Sequence, residues 1–378
     1  MADPETRRLL GGYETGAFLA RCWHKEALLV RAAMPGLRAV VTRDELFALA
    51  ARDDVQSRLV QRSRGHYTLD DGPFRSAALR RLPSRNWTLL VQGVNLHHDA
   101  ADALLRRFAF IPHARLDDLM VSYAAPGGGV GPHFDSYDVF LLQASGRRRW
   151  RYGRQRDLRL RADVPLRILQ RFTPRHDATL APGDLLYLPP DFAHDGIALD
   201  GCITCSIGFR APLYQELAEA FLDHLRDTVA VPGRYADPDL RATRSPGRID
   251  RTMQRRVAGA IAGIDWDRDA IARFLGRYLT EPKPEVAFAP PRRRSRAGFR
   301  RWIARAGVRL DRRTQLLYDE GRYYLNGDDA PMPAADPAAL RKLADLRALP
   351  PEDCAALSTE MTDLLHAWHR HGFLADAA

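Results

Sequence analysis

The stretch Gly131-Pro132-His133-Phe134-Asp135 decides how the rest of this chain is interpreted. Successive side chains of a β-strand point to opposite faces, so His133 and Asp135 would enter one pocket while Phe134 points away from it. His194 follows later, after a β-rich run and a Pro-Pro turn. Two histidines and one carboxylate, with the remaining coordination positions open, form the ligand set expected of a non-haem Fe(II) oxygenase. The three residues are therefore the predicted metal ligands.

Two other histidine clusters are weaker candidates for a metal site. His97-His98-Asp99 repeats the His-x-Asp spacing, but residues 100–110 are predicted to form a helix, which this pair would cap. The second cluster falls on an amphipathic C-terminal helix without a carboxylate at ligand spacing, which favours a solvated helix end: His366, His369 and His371.

The run Gly146–Gly153 carries four arginines beside Trp150 and Tyr152. Strand alternation places Arg148 on the face of the two aromatic residues, which is expected to point inward. A buried guanidinium needs a carboxylate that it can hold in a bidentate fork. A 2-oxoglutarate enzyme needs such a cation for its cosubstrate, so Arg148 is the predicted 2-oxoglutarate ligand. The alternative is that these arginines are surface charges.

Three segments together carry a family resemblance, namely Pro126–Phe140, Gly146–Trp150 and Pro182–Pro190. They closely resemble the JmjC-type bacterial ribosomal oxygenases, and the resemblance extends over nearly the whole chain. It implies that Fe(II) is bound by His133, Asp135 and His194, and 2-oxoglutarate by Arg148 with help from Ser122 and Thr204. This chain departs from the family pattern near the third iron ligand, where it has Asp191 and Asp195 in place of Gly or Glu.

The activity implied by this resemblance is that of an Fe(II)- and 2-oxoglutarate-dependent dioxygenase that uses O2 to hydroxylate a protein. The implied substrate is an arginyl residue of the 50S ribosomal protein L-16, hydroxylated at its β-carbon (C3). Hydroxylation of a histidyl residue in another ribosomal protein, or demethylation of a lysine, is an alternative with the same iron chemistry. A non-catalytic cupin that docks on the ribosome is an alternative of another class, but it would need neither the three ligands nor Arg148.

Tyr137 and Asp138 are the candidate substrate contacts. Tyr137 has the same strand parity as His133 and Asp135, so on a regular strand its ring would enter the same pocket. An aromatic face and a hydroxyl suit an entering guanidinium, and Asp138 would add a counter-charge at the rim. Packing of Tyr137 against the barrel wall is the alternative.

The predicted fold class is α+β. Strands parted by Gly and Pro turns predict a double-stranded β-helix of the cupin or jelly-roll kind, which the resemblance identifies as a JmjC domain over residues 1–212. They are predicted at residues 119–123, 139–143, 149–152, 178–180, 184–188 and 203–209.

After residue 212 apolar residues recur at helical spacing. The resemblance implies that region 213–281 is a helical dimerisation segment of a homodimer, and an intramolecular helical cap is the alternative. Prolines and arginines around residues 281–294 mark a boundary. The C-terminal region 282–378, with a hairpin around Asp319-Glu320-Gly321 and two further helices, resembles the family's winged-helix-like domain.

Composition limits the choice of partners and compartment. The chain of 378 residues carries 57 Lys and Arg against 47 Asp and Glu, a net charge of +10, which favours a polyanion such as ribosomal RNA. Only three basic residues are lysine, so a codon bias toward arginine is the alternative account. No long apolar run or signal-peptide pattern is found, and the four cysteines are scattered. We therefore expect a cytoplasmic protein without membrane contact.

Overall fold

We describe residues 3–37, 40–63 and 66–375 in a computed structural model of the chain. Short helices and strands make up the N-terminal part. A capping box starts one of these helices, because Thr42 accepts a hydrogen bond from the backbone N–H of Glu45 at 3.3 Å while the Glu45 carboxylate accepts one from the Thr42 N–H at 2.7 Å. The elements are α1 Pro4–Leu9, α2 Thr15–Arg21, β1 Leu28–Val30, α3 Arg43–Leu49, β2 Ser57–Ser63, β3 His66–Asp71, α4 Ser76–Leu79, β4 Trp87–Val91 and α5 Asp99–Arg106.

Seven further strands follow and complete two facing antiparallel sheets. They are β5 Leu116–Ala124, β6 Val139–Ser145, β7 Arg148–Arg154, β8 His176–Leu180, β9 Leu185–Leu188, β10 Phe192–Ala198 and β11 Cys202–Phe209. The large sheet has the order β1-β9-β6-β11-β5-β4-β2-β3, and the small sheet has the order β10-β7-β8. All six predicted strands of the barrel are present. The polar hairpin of β2 and β3 is not predicted by the sequence, because half of its residues face solvent.

The large sheet uses its two faces differently. On β5, Leu119 and Val121 are fully buried and pack with Phe18, Phe47 and other residues of the N-terminal helices. Alternation leaves the intervening side chains of β5 on the inner face, toward the small sheet. Truncating a core residue such as Leu119 to alanine would cost about 2–5 kcal/mol. The outer face thus anchors the barrel, and the inner face is left for a polar cavity.

Three helices form the middle of the chain: α6 Tyr214–Thr228, α7 Arg251–Ala262 and α8 Arg268–Thr280. Helices α6 and α7 bury none of their residues. Helix α8 is attached to the C-terminal part, since Arg277 donates to the Gly327 carbonyl at 3.0 Å and the Gly327 N–H donates to the Thr280 hydroxyl at 3.0 Å. The division at residue 281 stays a prediction. Within the described ranges, no helix has both the length and the apolar character needed to cross a membrane.

The C-terminal part has its own hydrophobic core, which includes Phe299, Ile303, Leu340, Met361 and Leu365. The elements are α9 Arg296–Ala306, β12 Val308–Leu310, β13 Leu316–Tyr318, β14 Tyr323–Leu325, β15 Asp328–Ala330, α10 Pro337–Leu346, β16 Ala348–Leu349, α11 Pro351–Ala355, α12 Thr359–Arg370 and β17 Leu374–Ala375. The strands form two three-stranded sheets, with the orders β16-β12-β17 and β13-β14-β15. The predicted hairpin and both predicted helices are present.

Candidate metal and cosubstrate site

A pair of backbone hydrogen bonds brings His133 and His194 together. The His133 N–H donates to the His194 carbonyl at 2.9 Å, and the His194 N–H donates to the His133 carbonyl at 2.8 Å. The ring centroids are 4.2 Å apart. His194 lies on β10, but His133 forms only this isolated bridge and Asp135 lies in no strand. The prediction of a regular strand through residues 133–135 is therefore wrong. The isolated bridge to β10 positions His133 beside His194 instead.

The hydrogen bonds of the two rings determine which nitrogen atoms face the pocket. Nδ1 of His133 lies 2.9 Å from the Gly131 carbonyl, and Nδ1 of His194 lies 2.8 Å from the Phe192 carbonyl. A carbonyl only accepts, so each Nδ1 carries the proton and each Nε2 presents a lone pair. Burial, with the neighbouring His133 ring, lowers the pKa of His194 to about 4, so this ring is neutral at pH 7.

Asp135 completes a group that we call the triad (His133, Asp135 and His194). Its Oδ2 lies 3.7 Å from Nε2 of His194, and the potential ligand atoms of the three residues all lie within 4.8 Å of one another. The described residues contain no second cluster of this kind. Two imidazoles and one carboxylate on one side of a pocket fit a divalent transition metal with open coordination positions.

Arg148 lies in the same cavity and is only 4% exposed. Its guanidinium donates to the hydroxyls of Ser122 and Thr204 at 3.2 and 3.3 Å and to the Gly196 carbonyl at 3.3 Å. None of the residues in the described ranges forms an ion pair with it, and its Nε has no acceptor there. Burial lowers the pKa of Arg148. A buried cation whose partners are all neutral lacks a counter-charge, so its surroundings are suited to bind a carboxylate ligand.

The prediction that Arg148 points inward from β7 agrees with the structure. Arg148, Trp150 and Tyr152 are buried, whereas Arg149 is exposed and pairs with Asp177. Ser122 and Thr204 lie directly opposite each other on β5 and β11, which is why both hydroxyls reach the guanidinium.

The absence of a side chain at Gly196 provides the space that the side chains of Arg148 and Trp150 occupy. A Cβ atom at residue 196 would lie 2.7 Å from the Trp150 ring and 2.9 Å from Nε of Arg148. Such distances are far shorter than a carbon contact allows, so a glycine is required at this point of β10.

A cavity of about 500 Å³ connects the triad and Arg148 to the surface. Its wall on β5 consists of Asp118, Met120 and Ser122, and residues 165–167 of the β7–β8 loop lie at its side. Tyr137 also lines it and is 40% exposed, which places its ring at the mouth. The nearby Asp135 carboxylate and burial raise the pKa of Tyr137, so its hydroxyl stays protonated.

Asp118 also lines the cavity, although it is not among the site residues predicted from the sequence. It is 5% exposed, and its Oδ2 accepts hydrogen bonds from the Gly93 N–H at 2.9 Å and from Gln92 at 3.3 Å. Burial, together with the Asp117 carboxylate, raises the pKa of Asp118. Strand alternation could have identified Asp118, because Asp118 and Ser122 are an even number of residues apart and both lie on the inner face of β5.

The prediction that Asp138 supplies a counter-charge at the rim is wrong. Its side chain is completely buried behind the strand, where the Tyr187 hydroxyl and the His24 N–H donate to it. The chain bends between Ser136 and Asp138, so Asp138 faces the N-terminal helices instead of the cavity. Asp195, at which the chain departs from the family pattern, is buried and pairs with Arg151.

Neither of the two weaker histidine clusters forms a group of potential metal ligands among the described residues. Helix α5 begins at Asp99 and ends earlier than predicted, and His98 caps it without a side-chain hydrogen bond. The prediction of a solvated helix end is wrong for His369, which is 1% exposed and packs between Phe299 and Trp302 because α12 lies on α9.

Two sequence-family models match the chain. The model of the JmjC domain matches residues 103–217, which include the triad and Arg148. The model of the ROXA-like winged helix matches residues 263–375, which confirms the predicted winged-helix character of the C-terminal part.

Curated relatives and solved structures match over much larger parts of the chain. The ribosomal protein uL16 3-hydroxylase of Escherichia coli strain K12 is 36% identical over 275 residues, which are 72% of this chain and 73% of the relative. The probable ribosomal oxygenase of Haemophilus influenzae is 34% identical over 244 residues, or 63% of this chain and 58% of the relative.

Structures of the E. coli ribosomal oxygenase YcfD are similar throughout. The complex with cobalt and 2-oxoglutarate gives a TM-score of 0.79 at 31% identity and covers 97% of this chain and 99% of that chain. An X-ray structure of the E. coli protein gives 0.83 at 31% identity and covers 96% and 98% of the two chains. The similarity thus includes the cavity, the helical middle and the C-terminal part.

Proposed function

The chain belongs to the JmjC-domain family of ribosomal oxygenases, and we propose that it is an Fe(II)- and 2-oxoglutarate-dependent hydroxylase of an arginyl residue in ribosomal protein uL16, the bacterial L-16. The observation that carries this proposal is one cavity with three chemical functions. It contains a metal-ligand triad, a buried cation without a counter-ion among the described residues, and a buried carboxylate on its wall.

The triad residues His133, Asp135 and His194 are the proposed iron ligands. The protonated Nδ1 atoms hold both rings in place through the Gly131 and Phe192 carbonyls, so the Nε2 lone pairs are oriented before metal arrives. When bound, iron and 2-oxoglutarate supply the oxidising chemistry that places an oxygen atom of O2 on a C–H bond as 2-oxoglutarate becomes succinate and CO2.

Arg148 is the proposed ligand of the distal carboxylate of 2-oxoglutarate. Its fork-shaped guanidinium can bind a carboxylate in a bidentate manner, and the Ser122 and Thr204 hydroxyls are near enough to add hydrogen bonds to the same group. The incoming carboxylate would neutralise a charge that the protein leaves uncompensated.

Asp118 and Tyr137 are the proposed contacts of the substrate arginine. Oδ1 of Asp118 accepts no hydrogen bond from the described residues, whereas Oδ2 is fixed by Gly93 and Gln92. A guanidinium can donate to this oxygen while the Tyr137 ring, at the mouth, covers its face. A buried carboxylate favours a cationic side chain over a neutral histidine, which favours arginine hydroxylation over histidyl hydroxylation.

A homodimer is the proposed assembly. The middle region exposes large apolar side chains, for example Leu222 at 61%, Ile261 at 62% and Trp266 at 47%. Exposed large apolar side chains that gather in one region are typical of a subunit interface. We place the enzyme in the cytoplasm, where ribosomal proteins are made.

Mass spectrometry of peptides tests the proposed function. A peptide that spans the target arginine is incubated with the protein, Fe(II), ascorbate and 2-oxoglutarate, and we expect a mass gain of one oxygen atom on the arginine. Peptides with histidine, lysine or trimethyl-lysine at that position are the matched arms. Oxidation or demethylation of one of those peptides in place of the arginine peptide would refute the arginine assignment, and failure of every peptide to turn over would refute hydroxylase activity on uL16.

A further inference from the structure

One segment of the C-terminal part is strongly cationic and has no acidic residue. Residues 286–310 contain eight arginines and no Asp or Glu, although the whole chain has 47 acidic residues among 378. A codon bias toward arginine would add arginines, but it would not remove acidic residues. The segment therefore has a local charge that composition alone does not explain.

Helix α9 turns part of this segment into a rigid surface. Ser295 caps the helix by accepting from the Gly298 N–H at 3.2 Å, and Phe299 and Ile303 are fully buried in the C-terminal core. The opposite side presents Arg301 and Arg305, which are four residues apart and so lie next to each other on one face. Arg300 flanks them, and the exposed Arg292 and Arg293 precede the helix.

These five arginines have no counter-ion among the residues that the structure describes. Several exposed arginines elsewhere on the surface pair with a neighbour, as Arg149 does with Asp177 and Arg159 does with Asp157. On α9, Arg296 has such a partner within the described part of the chain, Asp363. The other five form neither an ion pair nor a side-chain hydrogen bond with the residues at 3–37, 40–63 and 66–375: Arg292, Arg293, Arg300, Arg301 and Arg305.

We propose that the arginine face, defined as Arg292, Arg293, Arg300, Arg301 and Arg305, binds the phosphate backbone of RNA. Unpaired cations held on one rigid face add their potentials, and a chain of phosphates neutralises several at once with release of counter-ions. The proposal rests on the proposed function in one respect, that the enzyme works on a component of the ribosome.

The rest of the C-terminal part argues against two other partners. A protein of this class that reads DNA places a helix in the major groove between two phosphate backbones. Here the turn between β13 and β14 carries Asp319 and Glu320, and α12 carries Glu360 and Asp363. The protein substrate is also an unsuitable partner for this face, because a protein that binds ribosomal RNA is itself cationic. An RNA backbone satisfies the charge without any need for base reading.

A salt series with a labelled RNA hairpin tests the arginine face. The test variant combines Arg300→Gln, Arg301→Gln and Arg305→Gln. The control variant combines Arg75→Gln, Arg81→Gln and Arg85→Gln, which removes the same charge from arginines that are equally exposed and equally free of ion pairs with described residues. If each arginine contacts one phosphate, the slope of log Kobs against log salt falls by roughly 2 to 3 in the test variant.

We expect the control variant to keep the wild-type slope, and the corresponding Arg→Lys variant of α9 to keep most of the binding, since lysine also binds phosphate. An equal loss in the test and control variants would overturn the proposal, because net charge would then be the cause. Stronger binding of polyglutamate than of the hairpin would also overturn it, in favour of an acidic protein partner.

The readouts of RNA binding and of hydroxylation are independent. Binding is measured without Fe(II) or 2-oxoglutarate, and hydroxylation is measured on a free peptide, where we expect the α9 variant to match the wild type. RNA binding in a protein that hydroxylates no peptide would contradict the proposed function and leave the arginine face supported. Hydroxylation without RNA binding would overturn only the arginine face.

Discussion

Replacement of Arg148 by methionine removes the buried guanidinium and fills a similar volume. We expect the KM for 2-oxoglutarate to rise steeply, because the variant lacks the buried cation that lines the cavity together with the triad. Truncating one partner of a buried, hydrogen-bonded charge pair costs about 2–5 kcal/mol. At 1.4 kcal/mol for each factor of ten, this corresponds to a KM increase of roughly 30-fold to several-thousand-fold.

The same substitution should affect stability much less than activity. Without 2-oxoglutarate the guanidinium is a buried charge with neutral partners, and replacing such a charge by an apolar side chain is often neutral or stabilising. The Gly196 carbonyl loses a donor, which offsets part of that gain. We expect a nearly unchanged Tm in the ligand-free protein, and the loss of the Tm increase that 2-oxoglutarate produces in the wild type.

Initial rates of succinate formation across a 2-oxoglutarate series, at saturating Fe(II) and peptide, measure this effect. Arg149→Met is the matched control, because Arg149 is the next residue on β7 but is exposed and pairs with Asp177. An unchanged KM in Arg148→Met, or an equal increase in Arg149→Met, would refute the assignment of the cosubstrate cation.

The remaining predictions test the other parts of the proposal. Asp135→Ala should abolish metal retention, measured by elemental analysis, and leave thermal unfolding unchanged, because Asp135 lies in an irregular segment at the cavity; normal metal content would contradict the triad. Asp118→Asn should weaken binding of the arginine peptide by about 1.5–3 kcal/mol, which raises the KM for this peptide roughly 10- to 150-fold. The KM for 2-oxoglutarate should stay constant. The pKa of Asp118 is raised, and only its charged form attracts a guanidinium, so the wild-type KM for peptide should rise as the pH falls through that pKa. If the KM of Asp118→Asn showed the same rise, another group would be the cause. Tyr137→Ala should slow peptide hydroxylation at subsaturating peptide without loss of iron or 2-oxoglutarate binding, and an unchanged rate would remove Tyr137 from the substrate site. Leu222→Asp should sediment as a monomer and Leu346→Asp, with its 64% exposed leucine on α10, as a dimer; a monomeric wild type would defeat the assembly.

The comparisons confirm the family resemblance that the long motif indicates. That motif is informative because the chemistry restricts it: two imidazoles, one carboxylate and a buried arginine have few substitutes. Strand alternation also predicted the inward facing of Arg148 correctly, because β7 is paired on both sides and stays regular over its length.

The predicted rim position of Asp138 went against strand alternation, which places Asp138 and Tyr137 on opposite faces. Tyr137 lines the cavity, whereas the Asp138 carboxylate faces away from it toward Tyr187 and His24. Nearness in sequence to a site residue therefore does not place a side chain in the site.

Ligand chemistry and side-chain periodicity are local properties, so the residues alone predict which kinds of groups form the site and in which order the chain supplies them. The fold is needed to show that His133 meets His194 across a bridge of two hydrogen bonds, and that Asp118 on β5 shares a cavity with Arg148 on β7. These contacts join residues far apart in sequence. Their positions follow from sheet order and from the packing of one sheet over the other, which no local pattern of residues encodes.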